Sequence, residues 1–336
     1  MAFLCEAEQV FGADRCPVRG YFSPSGNFRQ SDADMRFEVH EFSEYGYDIV
    51  RKRFPLKDQN GVDLYFESFR LDDGLEKRPL LMVHGLTYAS HEFDVDCGDY
   101  SLVRYFASRG YEVWLFDVAG YGRSQEIEDG FATTSDYAAE NAAIAAERIL
   151  ALRGFDRLDL FGWSWGGLTA GKLAISRPDL IRRLVLYAPL TFGMKDKRVE
   201  LPFISNTWAH AADDFQVTES GEIDSDITEP EVADLYVSDC RRFDRDTSPN
   251  GGRREIFISP EKRILAAELI NMPTLVISGT HDQYCSVESS RSTYALLPNK
   301  DSKLIIVEGA SHMMMIEKPF YRAFRKTVAD FLDGKR

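Results

Sequence analysis

Six short, mainly apolar runs, each of four residues, recur along this chain: Leu80–Val83, Val113–Phe116, Leu158–Phe161, Leu184–Tyr187, Thr274–Ile277 and Leu304–Val307. Such runs are too short for buried helices and match strands covered on both faces. Between them lie amphipathic patterns over roughly 102–108, 135–153, 165–176, 287–297 and 319–332. Strands alternating with helices predict βαβ crossovers, and hence an α/β fold with a mostly parallel, doubly wound sheet. Two further strands are expected at Tyr47–Phe54 and Val62–Phe69, joined by a hairpin turn around Asn60-Gly61. The alternation breaks once. After the sixth strand from Tyr47, residues 191–259 contain no strand run and are rich in acids, Asp213, Asp214, Glu219, Glu222, Asp224, Asp226, Glu229 and Glu231 among them. A structureless loop of that length is improbable in a compact domain, which predicts an inserted helical cap over the ligand crevice. The expected organisation is an irregular extension over 1–46, a core formed by 47–190 and 260–336, and the cap at 191–259.

Composition narrows the class. With 336 residues, 44% of them hydrophobic, the chain has ample material for a core. A formal net charge of -14 disfavours a nucleic-acid partner, because phosphate binding needs a basic surface, and none is expected. No apolar run is long enough to predict a membrane span, and the opening Met1–Glu6 lacks the basic and apolar regions of a signal peptide. Cys5, Cys16, Cys97, Cys240 and Cys285 are odd in number and scattered. They read as free thiols of a cytoplasmic protein, with no spacing suited to zinc. Oligomeric state is not readable from these features.

The chemistry is concentrated after the third run of the six. Phe161-Gly162-Trp163-Ser164-Trp165-Gly166-Gly167 places a serine among glycines between a strand and a helix. A serine at so sharp a turn is presented above the sheet edge, and the glycines remove bulk where the chain reverses. A serine needs a base, and the base needs an orienting group. Thr274–Ile277 runs on into Asp282, and Leu304–Val307 into His312, so each stands just past the carboxyl end of a strand. In an open parallel sheet these ends share one edge, where residues distant in sequence meet. His281 and His84 read as structural neighbours, and His40, His91 and His210 have no comparable placement. Leu80–Val83 ends in His84-Gly85-Leu86, so the amides of Leu86 and Trp165 are the candidate oxyanion donors. Trp163 and Met313 are candidates for the substrate pocket wall, as is the side chain of Trp165.

His84-Gly85, the run Phe116–Ser124, the elbow around Ser164, Asp282 and His312 together resemble the α/β-hydrolase superfamily, from about Tyr47 to the C-terminus. The resemblance implies a Ser164–Asp282–His312 triad, acyl transfer, and no metal or organic cofactor. Relatives with aspartate at the elbow, the haloalkane dehalogenases and epoxide hydrolases, form alkyl esters instead. Ser164-Trp165-Gly166 is similar to the elbow of proline iminopeptidases, but Trp163 and Gly167 depart from their Gly-Gly-Ser-Trp-Gly-Ser pattern. The expected function is a serine hydrolase that cleaves a small-molecule carboxylic ester or lactone through an acyl-enzyme. An aminopeptidase, a carbon–carbon bond hydrolase and an acyltransferase would share the same residues. A small-molecule receptor on a hydrolase scaffold is the non-enzymatic alternative.

Overall fold

The computed structural model describes residues 40–42 and 47–335. The rest of the expected N-terminal extension, with Cys5 and Cys16, lies outside the described residues. In chain order the elements are β1 (His40–Phe42), β2 (Tyr47–Arg53), β3 (Phe66–Leu71), β4 (Arg78–Val83), α1 (Leu102–Ser108), β5 (Tyr111–Phe116), α2 (Ser135–Arg153), β6 (Leu158–Trp163), α3 (Trp165–Ser176) and β7 (Ile181–Tyr187). Then come β8 (Phe203–Ser205), α4 (Trp208–Ala212), α5 (Pro230–Phe243), β9 (Thr247–Pro249), α6 (Gly251–Ile256), β10 (Thr274–Gly279), α7 (Val287–Leu296), β11 (Lys303–Val307) and α8 (Tyr321–Leu332). This is the α/β-hydrolase fold.

The main sheet has the order β1-β2-β3-β5-β4-β6-β7-β10-β11. From β5 to β11 all neighbours are parallel, and β1, β2 and β3 add an antiparallel margin. The outermost strand, β1, lies before Tyr47, within the stretch expected to be irregular, and pairs antiparallel with β2. The hairpin turn at Asn60-Gly61 closes with Gly61 at φ 82° and its amide donating to the Asp58 carbonyl. Asp58 Oδ1 also accepts from the amides of Asn60 and Val62, which holds the tip irregular, so regular pairing starts at Phe66 rather than Val62.

The chain runs from β4 outward to β5, then back across β4 to β6. Right-handed crossovers in opposite directions place the connecting helices α1 and α2 on opposite faces. The packing agrees, since α1 meets β3, β5 and α8, whereas α2 meets α3 and β4. The reversal opens a crevice at the carboxyl ends of β4 and β6, where ligands bind in open α/β sheets. The six parallel strands are the apolar runs of the sequence, and β5 and β6 are buried throughout.

Between β7 and β10 the chain forms β8, α4, α5, β9 and α6, with β8 and β9 paired in a separate antiparallel ribbon. Several contacts tie this segment to the core. His91 Nε2 lies 2.5 Å from Asp244 Oδ2, the Tyr236 hydroxyl donates to the buried Glu92, and Arg245 Nη2 donates to the Ser124 carbonyl at 2.6 Å.

Candidate active site

Ser164 is the residue between β6 and α3, with φ 58° and ψ −123°. A side chain in this region costs on the order of 1–3 kcal/mol and persists only where its surroundings hold it. They do so here: its amide donates to the Tyr187 carbonyl at 2.9 Å, and its carbonyl accepts from Gly167 and Leu190. The glycines are required by close approach. A Cβ on Gly162 would lie 2.2 Å from the Gly166 carbonyl oxygen, and one on Gly166 would lie 2.2 Å from that of Val83.

Asp282 and His312 meet beyond the ends of β10 and β11. His312 Nδ1 is 2.9 Å from Asp282 Oδ2, and both side chains are buried. The other oxygen of Asp282 accepts from the amides of Tyr284 and Cys285, each at 2.8 Å. The carboxylate is therefore fixed at both oxygens. Burial pulls the proton affinity of His312 down, but Asp282, by charge and hydrogen bond, and nearby Asp214 outweigh it and leave the imidazole above its ordinary value.

The loop carrying His312 is held from several sides that sequence patterns did not reveal. The Tyr187 hydroxyl donates to the His312 carbonyl at 2.5 Å, and Trp163 Nε1 donates to the same oxygen at 3.2 Å. Buried Glu317 accepts from the amide and hydroxyl of Ser311 and from Gln216 Nε2. His84 braces the facing loop. Its Nδ1 donates to the Gly85 carbonyl and its Nε2 accepts from the Val118 amide, while burial lowers its proton affinity and keeps it neutral. Exposed His281 lies against Gln216.

Ser164, His312, Trp163, Gly85, Leu86 and Thr87 line one cavity of about 300 Å³, within the size range of small-molecule sites. Its remaining walls come largely from the inserted segment: Met194, Lys195, Lys197, Ile204, His210, Asp213, Asp214, Arg253, Ile256 and Phe257, with Leu190 and Tyr284 completing them. Two expected wall residues are elsewhere. Met313 is fully buried in the hydrophobic core, where a flexible thioether fills space. The Trp165 side chain is also fully buried, packed on Tyr121 and against Gly252, so its indole does not reach the cavity. Only the Trp165 backbone, as the first residue of α3, remains beside Ser164.

Sequence patterns did not mark His210, Asp214, Tyr284 or Arg253 as site residues, because His210 and Arg253 lie on helices of only five and six residues, and Asp214 and Tyr284 on loops, all too short or irregular to carry a periodicity. Asp214 is half-buried, and burial pushes its carboxyl up to about 6 against the opposing effects of His312 and a Tyr284 hydrogen bond. Cys285 presents its sulfur near the carboxylate of Asp282 and the ring of His312. Its thiol donates to the Ala188 carbonyl, and burial raises it well above its ordinary value. A metal would need the thiolate and a free imidazole nitrogen, whereas Nδ1 of His312 is engaged by Asp282.

A strained serine at a strand-to-helix turn, a carboxylate-bound histidine and a shared cavity, on this sheet, define a serine hydrolase of the α/β-hydrolase superfamily. The chain belongs to the serine aminopeptidase S33 family, whose match spans residues 76–319. It is similar to a proline iminopeptidase of Saccharolobus solfataricus, 25% identical over 304 residues, covering 81% of this chain and 90% of that protein. It is equally similar to caffeoylshikimate esterase of Arabidopsis thaliana, 26% identical over 289 residues, covering 81% and 82%. Among solved structures, a thermophilic esterase from Thermogutta terrifontis superposes with a TM-score of 0.61 at 19% identity, over 84% of this chain and 98% of that one. Among the described residues, no helix is long and apolar enough to cross a membrane.

Proposed function

We propose that the protein hydrolyses small-molecule carboxylic esters or lactones through an acyl-enzyme on Ser164. In this reading Ser164 Oγ attacks the carbonyl carbon while His312 takes its proton, and Asp282 orients and stabilises the imidazolium. The carbonyl oxygen gains negative charge between the amides of Leu86 and Trp165. His312 then returns the proton to the departing alcohol oxygen. Water repeats the sequence on the acyl-enzyme and releases the acid. Residues 191–259 act as the cap that shapes the substrate pocket.

The observation that carries this proposal is that Ser164 and the Asp282-bound His312 line one cavity. A second reading, an aminopeptidase, is favoured by Asp213 and Asp214 in the cavity wall, where they would hold a substrate ammonium group. Labelling with a fluorophosphonate probe should be complete in the wild type and absent in Ser164→Ala; full-strength labelling of the variant would refute the nucleophile. Turnover of p-nitrophenyl acyl esters should exceed that of aminoacyl anilides by at least about tenfold, and the reverse order would favour the aminopeptidase.

A further inference from the structure

Arg253 is 8% exposed and forms part of the wall of the cavity that holds Ser164. Buried arginines are ordinarily paired with carboxylates. Among the described residues no carboxylate lies within 4.0 Å of this one. Its acceptors are all formally neutral: Nη1 donates to the Ser248 hydroxyl, the Pro249 carbonyl and the Asn250 side-chain oxygen, each at 3.3 Å, and Nη2 donates to the Thr87 hydroxyl. Among the described residues, these bonds leave the Nε–H without an acceptor. Asp214 acts on the guanidinium only as a through-space charge. A guanidinium stays ionised even where burial lowers its proton affinity, as it does here. The cavity thus holds a desolvated, oriented positive charge that, among the described residues, no carboxylate meets in an ion-pair contact, although Asp213 and Asp214 line the same cavity.

Its position is specific. Gly252, next to it, packs against the Leu86 side chain and the Trp165 indole, and Thr87 follows Leu86 directly. Arg253 therefore stands on the side of the two amides proposed to hold the carbonyl oxygen. Asp214 stands with Tyr284 and His312. Lys195 and Lys197, both exposed, add positive charge to the same cavity.

We propose that Arg253 is a specificity residue that pairs with a free carboxylate on the substrate, so that the preferred esters are monoesters carrying an anionic group. This rests on the ester reading above and names its substrate class. A carboxylate brings two acceptor oxygens to a planar fork of donors and supplies the missing counter-charge.

The test compares each anionic ester with its neutral counterpart. One pair carries the charge on the acyl side, mono-p-nitrophenyl glutarate against p-nitrophenyl methyl glutarate. The other carries it on the alcohol side, 4-acetoxybutanoate against its methyl ester. The wild type should prefer the anionic member of one pair in kcat/KM by about ten- to a hundredfold, the range of a charge-assisted hydrogen bond. Arg253→Met should bring that ratio to about one, and Arg253→Lys should restore part of it, chiefly through KM. Because each ratio is taken within one variant, partial misfolding cancels. Equal loss on both members of a pair would make Arg253 only a brace for Thr87 and overturn the proposal, as would a wild type without preference. Should no ester be turned over, the ester reading fails by itself. Calorimetric titration of the Ser164→Ala protein with glutarate and with dimethyl glutarate still decides the anion site: glutarate alone should bind, and adding Arg253→Met should remove that binding. Glutarate binding unaffected by Arg253→Met would overturn it.

Discussion

At the scale of single residues, the site depends on how His312 is held. Its Nδ1 is bonded to Asp282, and its backbone carbonyl is bonded by Tyr187 and Trp163, so ring and main chain are fixed by different strands. In the proposed mechanism His312 must be unprotonated to act as base, and the net effect of Asp282 and Asp214 raises the proton affinity of this imidazole. The acid limb of kcat/KM should therefore fall above the ordinary histidine value of about 6.5. Asp282→Asn removes the largest raising influence and leaves burial, so the limb should move to lower pH while kcat drops by about 10⁴. A pH–rate profile of the two proteins checks both the direction and the loss. Tyr187→Phe removes the bond its hydroxyl donates to the His312 carbonyl and the one it accepts from the buried Met315 amide, and leaves the Trp163 bond, which predicts a loss of about 1–3 kcal/mol of stability by denaturant titration.

At the scale of elements, the turn from β6 into α3 and the contact of α5 with the loop after β4 are the critical joints. Gly166→Ala would drive a methyl group into the carbonyls of Val83 and His84, both backbone atoms that cannot yield. The expected loss is about 3 kcal/mol or more, read as a lowered thermal midpoint together with lost fluorophosphonate labelling. At the other joint, burial raises Glu92 well above the usual carboxyl range, and the Tyr236 hydroxyl is its hydrogen-bond donor. A carboxyl that holds its proton more tightly folded than unfolded contributes stability at low pH and loses it as pH rises through the folded value. Glu92→Gln should therefore be more stable than the wild type by a margin that grows as pH rises above about 4.5. Thermal midpoints of the two proteins between pH 4.5 and 8 measure that margin.

For the whole molecule, the formal charge of -14 favours solvation and opposes compaction by self-repulsion. Added salt should screen that repulsion, so the thermal midpoint should rise by a few degrees between about 0.02 M and 0.3 M sodium chloride. The six apolar runs and their intervening helices are readable as a parallel sheet because periodicity is local and the right-handed crossover rule leaves few topologies. The glycines around Ser164 and the strand-end positions of Asp282 and His312 are likewise local features of the chain. Which side chains share the cavity was decided only by tertiary packing. Trp165 and Trp163 flank the same serine, yet the helix start turns one indole under Gly252 while the strand end turns the other toward His312. Met313 follows His312 directly and points into the core. Arg253, Asp214 and Tyr284 come from segments with no repeating pattern, so nothing in the sequence marks them as neighbours of Ser164. The sequence by itself determined the sheet and the residues that stand at its carboxyl edge. The tertiary structure alone decided the charge and shape of the cavity above that edge, because long-range packing, unlike periodicity, is not written in any short window of residues.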